Sequence, residues 1–140
     1  MAIDDRLVLD THVWTMLVAG DRFAPRILRR IDAAAAADAL YLAAVTVWEI
    51  AMLATKGALK LNAPTLSWVT DAVHASRVIV FPLEPSIAVD AAELPLFHGD
   101  PADRMIVATA RYLKAVLITR DTKILDYAEE TKNVRAIEPR

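Results

Sequence analysis

The sequence predicts an α/β sandwich on a parallel sheet of four to five strands, and three observations predict it. Short apolar runs rich in branched residues recur along the chain. Stretches with helical periodicity separate them. The runs do not alternate polar with apolar, which is how strands buried on both faces of a parallel sheet read.

In chain order, Leu7–Leu9 is the first strand and runs straight into Asp10. A helix over Pro25–Asp38 follows from Ile27, Leu28, Ile31, Ala34 and Ala35, which fall on one face. Leu40–Val45 is the second strand and Val47–Lys56 the next helix, with Gly57 placed as a C-terminal cap. Pro64 marks a loop before a helix over Leu66–Ser76, and Val78–Phe81 is the third strand. Pro82 and Pro85 mark a loop before a helix over Ser86–Leu94. The longest late helix is Pro101–Lys114, followed by a strand at Val116–Thr119, a helix over Thr122–Glu130 and a last strand at Val134–Ile137. Crossovers between parallel strands are expected to be right-handed.

The 140 residues suit one domain over positions 1–140, and a hydrophobic share of 56% excludes wholesale disorder. The formal net charge is -2, so the molecule as a whole is no polycation. Any contact with nucleic acid must come from a local basic patch or from metal ions. The absence of cysteine excludes disulfides, thiolate zinc sites and a cysteine nucleophile, and it suits a reducing cytoplasm. MAIDDRLVLD carries two early acids and no long apolar run, so a signal peptide is not expected. No apolar stretch approaches the ~20 residues of a membrane span, so no membrane partner is expected.

The placing of the acids carries the functional information. Asp10 follows the first strand in LVLDTHVW, Glu49 lies just into the helix after the second in AAVTVWEIA, and Asp121 follows the fourth in VLITRD. Asp100 and Asp103 open the long late helix in HGDPADRMIVATA. Ligands of open parallel sheets bind outside the carboxyl ends of the strands, which is the edge shared by Asp10, Glu49 and Asp121, and Asp103 joins them if its helix begins there. Each acid also has a local reading. Asp10, Asp100 and Asp121 suit helix N-caps, and Thr46 with Glu49 has capping-box spacing. Asp103 suits the positive end of its helix dipole. As a group they are harder to dismiss, because like charges ~4 Å apart cost about 4 kcal/mol at an effective dielectric of 20. An oxygen-only pocket suits a hard cation, Mg²⁺ or Mn²⁺, and such an ion suits attack of water on a phosphodiester.

The segments LVLDTHVW, TVWEIAMLATKGALKL, HGDPADRMIVATA and LITRD together resemble the PIN-domain ribonucleases, and more narrowly the VapC-like toxins of type II toxin–antitoxin pairs. The resemblance runs from about Leu7 to Asp126 in the family's order. It implies a three-layer α/β/α fold with strand order 3-2-1-4-5. It further implies an endoribonuclease dependent on Mg²⁺ or Mn²⁺, with RNA as substrate, a cognate antitoxin and a homodimer. Asp10, Glu49 and Asp103 match the family's three principal acids, and Asp121 matches the fourth, more variable one. Thr11 and Thr119 match positions that often place a hydroxyl near the metal or its waters. Where the family usually has an aromatic before the second acid of D-P-F-D-R, this chain has Ala102, which alters packing at the helix start and leaves the acids untouched.

Arg104 and Arg120 adjoin candidate ligands, and Lys56 and Lys60 follow the Glu49 helix. Among these, Arg104 is the first candidate for an RNA phosphate contact, against the alternative of solvated surface charge. His12 and His98 lie near the acids in sequence and suit local hydrogen bonding better than base catalysis, while His74 is expected on the surface. Trp14 and Trp48 are expected to be buried in the core or a dimer, and Trp68 is the candidate for an antitoxin or dimer contact. From the residues alone, two other functions stay open. One is a phosphoryl-transfer domain with Asp10 as nucleophile, although His12 stands where a second acid is expected. The other is a protein-binding module whose acids only cap helices.

Overall fold

A computed structural model describes residues 5–97 and 99–140. The chain runs β1 (Leu7–Leu9), α1 (Thr11–Ala19), α2 (Pro25–Ala36), β2 (Leu40–Ala43), α3 (Ala44–Thr55), α4 (Thr65–Ser76), β3 (Ile79–Phe81), α5 (Pro85–Glu93), α6 (Pro101–Leu113), β4 (Val116–Ile118), α7 (Thr122–Thr131) and β5 (Arg135–Ile137). All neighbouring strands pair in parallel, in the order β3-β2-β1-β4-β5. The expected α/β/α sandwich and strand order are both present.

The pleat of the sheet feeds two cores. Leu7, Leu9, Leu40, Leu42, Val116 and Ile118 face the layer containing Trp14, Ile31 and Val69, from α1, α2 and α4. Val8 and Leu117 face Ile106, Val107, Ile124 and Tyr127, from α6 and α7. Alternate strand side chains therefore enter opposite cores, as the non-alternating apolar runs require. The expectation of burial on both faces fails for β3 and β5. Ile79 and Val80 are exposed, as is Arg135, because each of these strands lies at a sheet edge.

Helix ends explain most of the small boundary differences. Asp38, Arg77, Lys114 and Lys132 adopt positive φ and end α2, α4, α6 and α7, a role usually given to glycine. Gly57 serves that way after α3, with φ of 76°. A larger difference lies at α3, which begins at Ala44 directly after β2, three residues earlier than the sequence predicts. Thr46 therefore lies inside the helix, whose N-cap is Ala43, so no capping box forms with Glu49. No helix among the described residues is long and apolar enough to cross a membrane.

Candidate functional site

The order of the sheet reverses between β1 and β4, and the carboxyl ends of these two strands meet there. Asp10 N–H donates to Ile118 O at 3.0 Å, locking the residue after β1 to the end of β4. Asp10 caps α1, and its Oδ1 accepts Thr11 N–H at 2.8 Å. Its Oδ2 accepts the Thr119 hydroxyl at 2.6 Å. Asp10 is buried, at 6% exposure, so both oxygens are fixed by protein donors.

Glu49 reaches the same edge from the second turn of α3. Its Oε1 accepts the hydroxyl of Thr11. Thr11 Oγ1 also lies 3.0 Å from Thr46 Oγ1. A hydroxyl carries one hydrogen, so with the Thr11 hydrogen given to Glu49, Thr46 must donate to Thr11. Thr11 thus touches Asp10 through its amide and Glu49 through its side chain.

Asp103 stands in the first turn of α6, which Asp100 caps by accepting Asp103 N–H at 2.8 Å. Asp121 caps α7, its Oδ1 accepting the N–H groups of Lys123 and Ile124 at 2.8 and 3.4 Å. The capping readings therefore hold for Asp10, Asp100 and Asp121. Glu49 and Asp103 cap nothing.

The charges of these acids act on one another. Burial pushes the Asp103 carboxyl up to about 7, and Asp100, Asp121, Asp10 and Glu49 push it the same way. Burial also raises Asp10, against the hydrogen bonds from Thr119 and Thr11 and the pull of His12, with Asp121 adding to the rise. Glu49 is raised by burial and by Asp10 and Asp100, while the Thr11 hydroxyl and His12 oppose the rise. Five carboxylates from four segments thus share one electrostatic neighbourhood. Among the described residues, no three acidic or histidine side chains converge closely enough to hold one ion directly as they stand.

A hollow of about 530 Å³ opens beside Asp10 and Asp121, bounded also by His12, Met16, Asp21 and Arg120. Asp21 and Met16 lie in no sequence motif, and Thr46, expected to cap a helix with Glu49, instead meets the Thr11 hydroxyl. Arg104 sits beside Asp103 in sequence, yet its guanidinium donates to Ala91 O and Leu94 O at 3.3 and 3.4 Å and lies over the Phe97 ring. It is thereby engaged with the end of α5. His12 is exposed on the hollow, His74 is exposed on α4, and His98 lies outside the described residues. Trp14 is fully buried and Trp68 half-buried edge-on against it, with ring centroids 5.7 Å apart. Trp48, expected in the core or a dimer, is 58% exposed on this chain.

The PIN-domain family profile matches residues 7–130. Over 89 residues the chain is 39% identical to Ribonuclease VapC22 of Mycobacterium tuberculosis, covering 63% of this chain and 67% of that protein. Two solved structures share the fold. The crystal structure of VapBC2 from Rickettsia felis bound to a DNA fragment from their promoter gives a TM-score of 0.67 at 16% identity, over 94% of this chain and 97% of that one. A toxin-antitoxin complex from Klebsiella pneumoniae gives 0.61 at 20% identity, over 96% and 98%. With a profile match across most of its length and the acids at the carboxyl edge of a 3-2-1-4-5 sheet, the chain belongs to the PIN-domain family and is VapC-like.

Proposed function

We propose that this chain is a divalent-metal-dependent endoribonuclease, the toxin of a bacterial toxin–antitoxin pair. We assign Asp10, Glu49, Asp103 and Asp121 as its metal-binding and catalytic acids. The observation that carries the reading is the gathering of acids from four segments at one edge, where burial first and their mutual repulsion second raise the Asp103 carboxyl. Kinship with a ribonuclease at 39% identity supports RNA as the substrate.

The donor chemistry fits a hard cation: the acids offer only oxygen, and their charge is unbalanced. Acids that do not yet converge on one point are compatible with Mg²⁺, which keeps several waters and takes one or two carboxylates directly. When bound, such an ion supplies Lewis-acid stabilisation of charge on the phosphate and eases ionisation of water. The protein's own groups set the geometry. Thr119 and the Thr11 amide hold the Asp10 carboxylate in one orientation, and the Thr46–Thr11 relay holds Glu49 beside it. Arg104 fixes the entry of α6 by tying it to the end of α5, so the position of Asp103 is set from outside the acid cluster.

A cognate antitoxin, a second copy of the chain and a cytoplasmic setting complete the proposal. The antitoxin is supported by kinship with a VapC protein.

The capping bonds of Asp10, Asp100 and Asp121 favour one rival, a binding module in which these acids serve only their helices. Incubating antitoxin-free protein with total RNA, in Mg²⁺, in Mn²⁺ and in chelator, decides between them. Asp10→Asn and Asp103→Asn are run alongside. Discrete fragments from the wild type alone, lost with chelator, are the expected result. An asparagine cap preserves a helix start, so intact RNA from every folded sample would favour the binding module.

A further inference from the structure

A polyanion approaching this site meets the carboxylates first, and a cation already spent on them gives it no help. The hollow beside Asp10 has Asp10, Asp21 and Asp121 on its walls, together with Arg120. Arg120 is nonetheless in no ion pair. Among the described residues the ion pairs are Arg111–Asp90 and Lys132–Glu129. Its one hydrogen-bond contact is Nη1 to Met16 Sδ at 3.7 Å, and a thioether is a weak acceptor. Met16 is buried, so it offers a fixed seat, while Arg120 is an exposed residue on the wall of the hollow.

The other arginines near α6 are committed elsewhere. Arg104 serves the Ala91 and Leu94 carbonyls, and Arg111 serves Asp90 and the Asn133 carbonyl. A guanidinium with open N–H groups in a planar fork matches the two oxygens of a phosphodiester.

We propose that Arg120, seated on Met16, grips a phosphate of single-stranded RNA at the mouth of the acidic hollow and registers the strand for cleavage. This assignment rests on the ribonuclease reading above. It gives substrate binding to a residue of β4's exit loop, next to Asp121, and leaves Arg104 to position α6.

The test uses an RNA oligonucleotide that the wild type cleaves with Mg²⁺ or Mn²⁺, with kcat and KM measured across a series of KCl concentrations. Arg120→Ala is expected to raise KM about tenfold or more, the size of one charge-assisted hydrogen-bonded contact. It should also flatten the logarithmic salt dependence by about 0.7, one phosphate contact on a single strand. Arg120→Lys keeps the salt slope and recovers part of the KM. Replacing the phosphates one at a time by neutral methylphosphonate should find one position that weakens the wild type and leaves Arg120→Ala unchanged. If Arg120→Ala does not fold, Arg120→Gln, which removes the charge and keeps a polar side chain of similar course, carries the same comparison. A wild-type KM and salt slope in Arg120→Ala overturn the proposal, as does a methylphosphonate series that slows both proteins alike. In those cases Arg120 serves only to soften repulsion among the acids. A wild type that cuts no RNA with either metal overturns the ribonuclease reading itself, and with it this assignment.

Discussion

Thr119, one residue past the end of β4, donates its hydroxyl hydrogen to Asp10 Oδ2 at 2.6 Å across the seam between β1 and β4. The same oxygen of Thr119 accepts Asp121 N–H at 3.0 Å. One buried hydroxyl therefore orients Asp10 and anchors the start of α7. Replacing it with an isosteric methyl, Thr119→Val, leaves a buried carboxylate oxygen without its donor. The expected loss is about 1–3 kcal/mol in urea unfolding, with reduced RNA cleavage. Thr119→Ser should restore most of both. An unchanged urea midpoint in Thr119→Val would show that the bond contributes nothing.

The Asp103 carboxyl, raised to about 7 from 3.8, ties stability to pH. The folded state holds this proton more tightly than the unfolded chain does. The resulting stabilisation is complete below the unfolded value and is lost as pH rises through the folded one. Asp10 and Glu49, also raised, act in the same direction. Metal-free protein in chelator should therefore lose Tm from about pH 4 to about pH 7. Asp103→Asn should flatten that fall, and a slope unchanged by Asp103→Asn would remove Asp103 from the account.

Divalent cation and protons should compete for the same carboxylates. Added Mn²⁺ or Mg²⁺ is expected to raise Tm by mass action, and by more above pH ~7 than below it, since ligand groups must be deprotonated. Equal shifts at both ends of the range, or none at all, would argue against a carboxylate-held ion.

Gly99 has no room for a side chain. A Cβ there would lie 2.5 Å from the Phe97 ring and 3.0 Å from Asp103 Cβ. Gly99→Ala should therefore displace the Phe97 ring or the first turn of α6. The expected cost is about 1–3 kcal/mol of overpacking, accompanied by lost cleavage although every acid is intact. Full activity in Gly99→Ala would mean that the Asp103 turn tolerates the shift.

Lys132 provides a contrast at the opposite end of α7. It ends the helix at φ 58°, a conformation costly for a residue with a Cβ. Its ion pair with Glu129, at 3.7 Å, is solvent-exposed and worth little. Lys132→Gly should stabilise the fold by about 1 kcal/mol and leave cleavage unchanged. Destabilisation on thermal melting would show that the lysine does more than end a helix.

The limits of β1 and β4 and the start of β2 were readable from the branched apolar runs to within a residue, and Asp10, Asp100 and Asp121 were readable as caps. The start of α3 was not. Ala44 and Val45 carry no breaker and read as strand, yet they are helical. The partner of Thr46, the hydroxyl of Thr11, lies 35 positions away, so no local pattern announces it. The apolar runs of β3 and β5 do not by themselves reveal how many neighbours each strand has; only the strand order implied by the family resemblance places them at the edges. Arg104 shows the limit of adjacency in sequence. Consecutive helical residues point about 100° apart, and Arg104 turns to α5 while Asp103 turns to the acids.

The junction between β2 and α3 has no linking residue, Ala43 being strand and Ala44 helix. The angular phase of α3 is therefore inherited from the sheet, with no slack to absorb an error. A single inserted alanine between them would rotate everything downstream by about 100°, swinging Glu49 off the cluster while sparing its chemistry. The β1–α1 junction, with Asp10 as its single linking residue, is nearly as intolerant of an insertion.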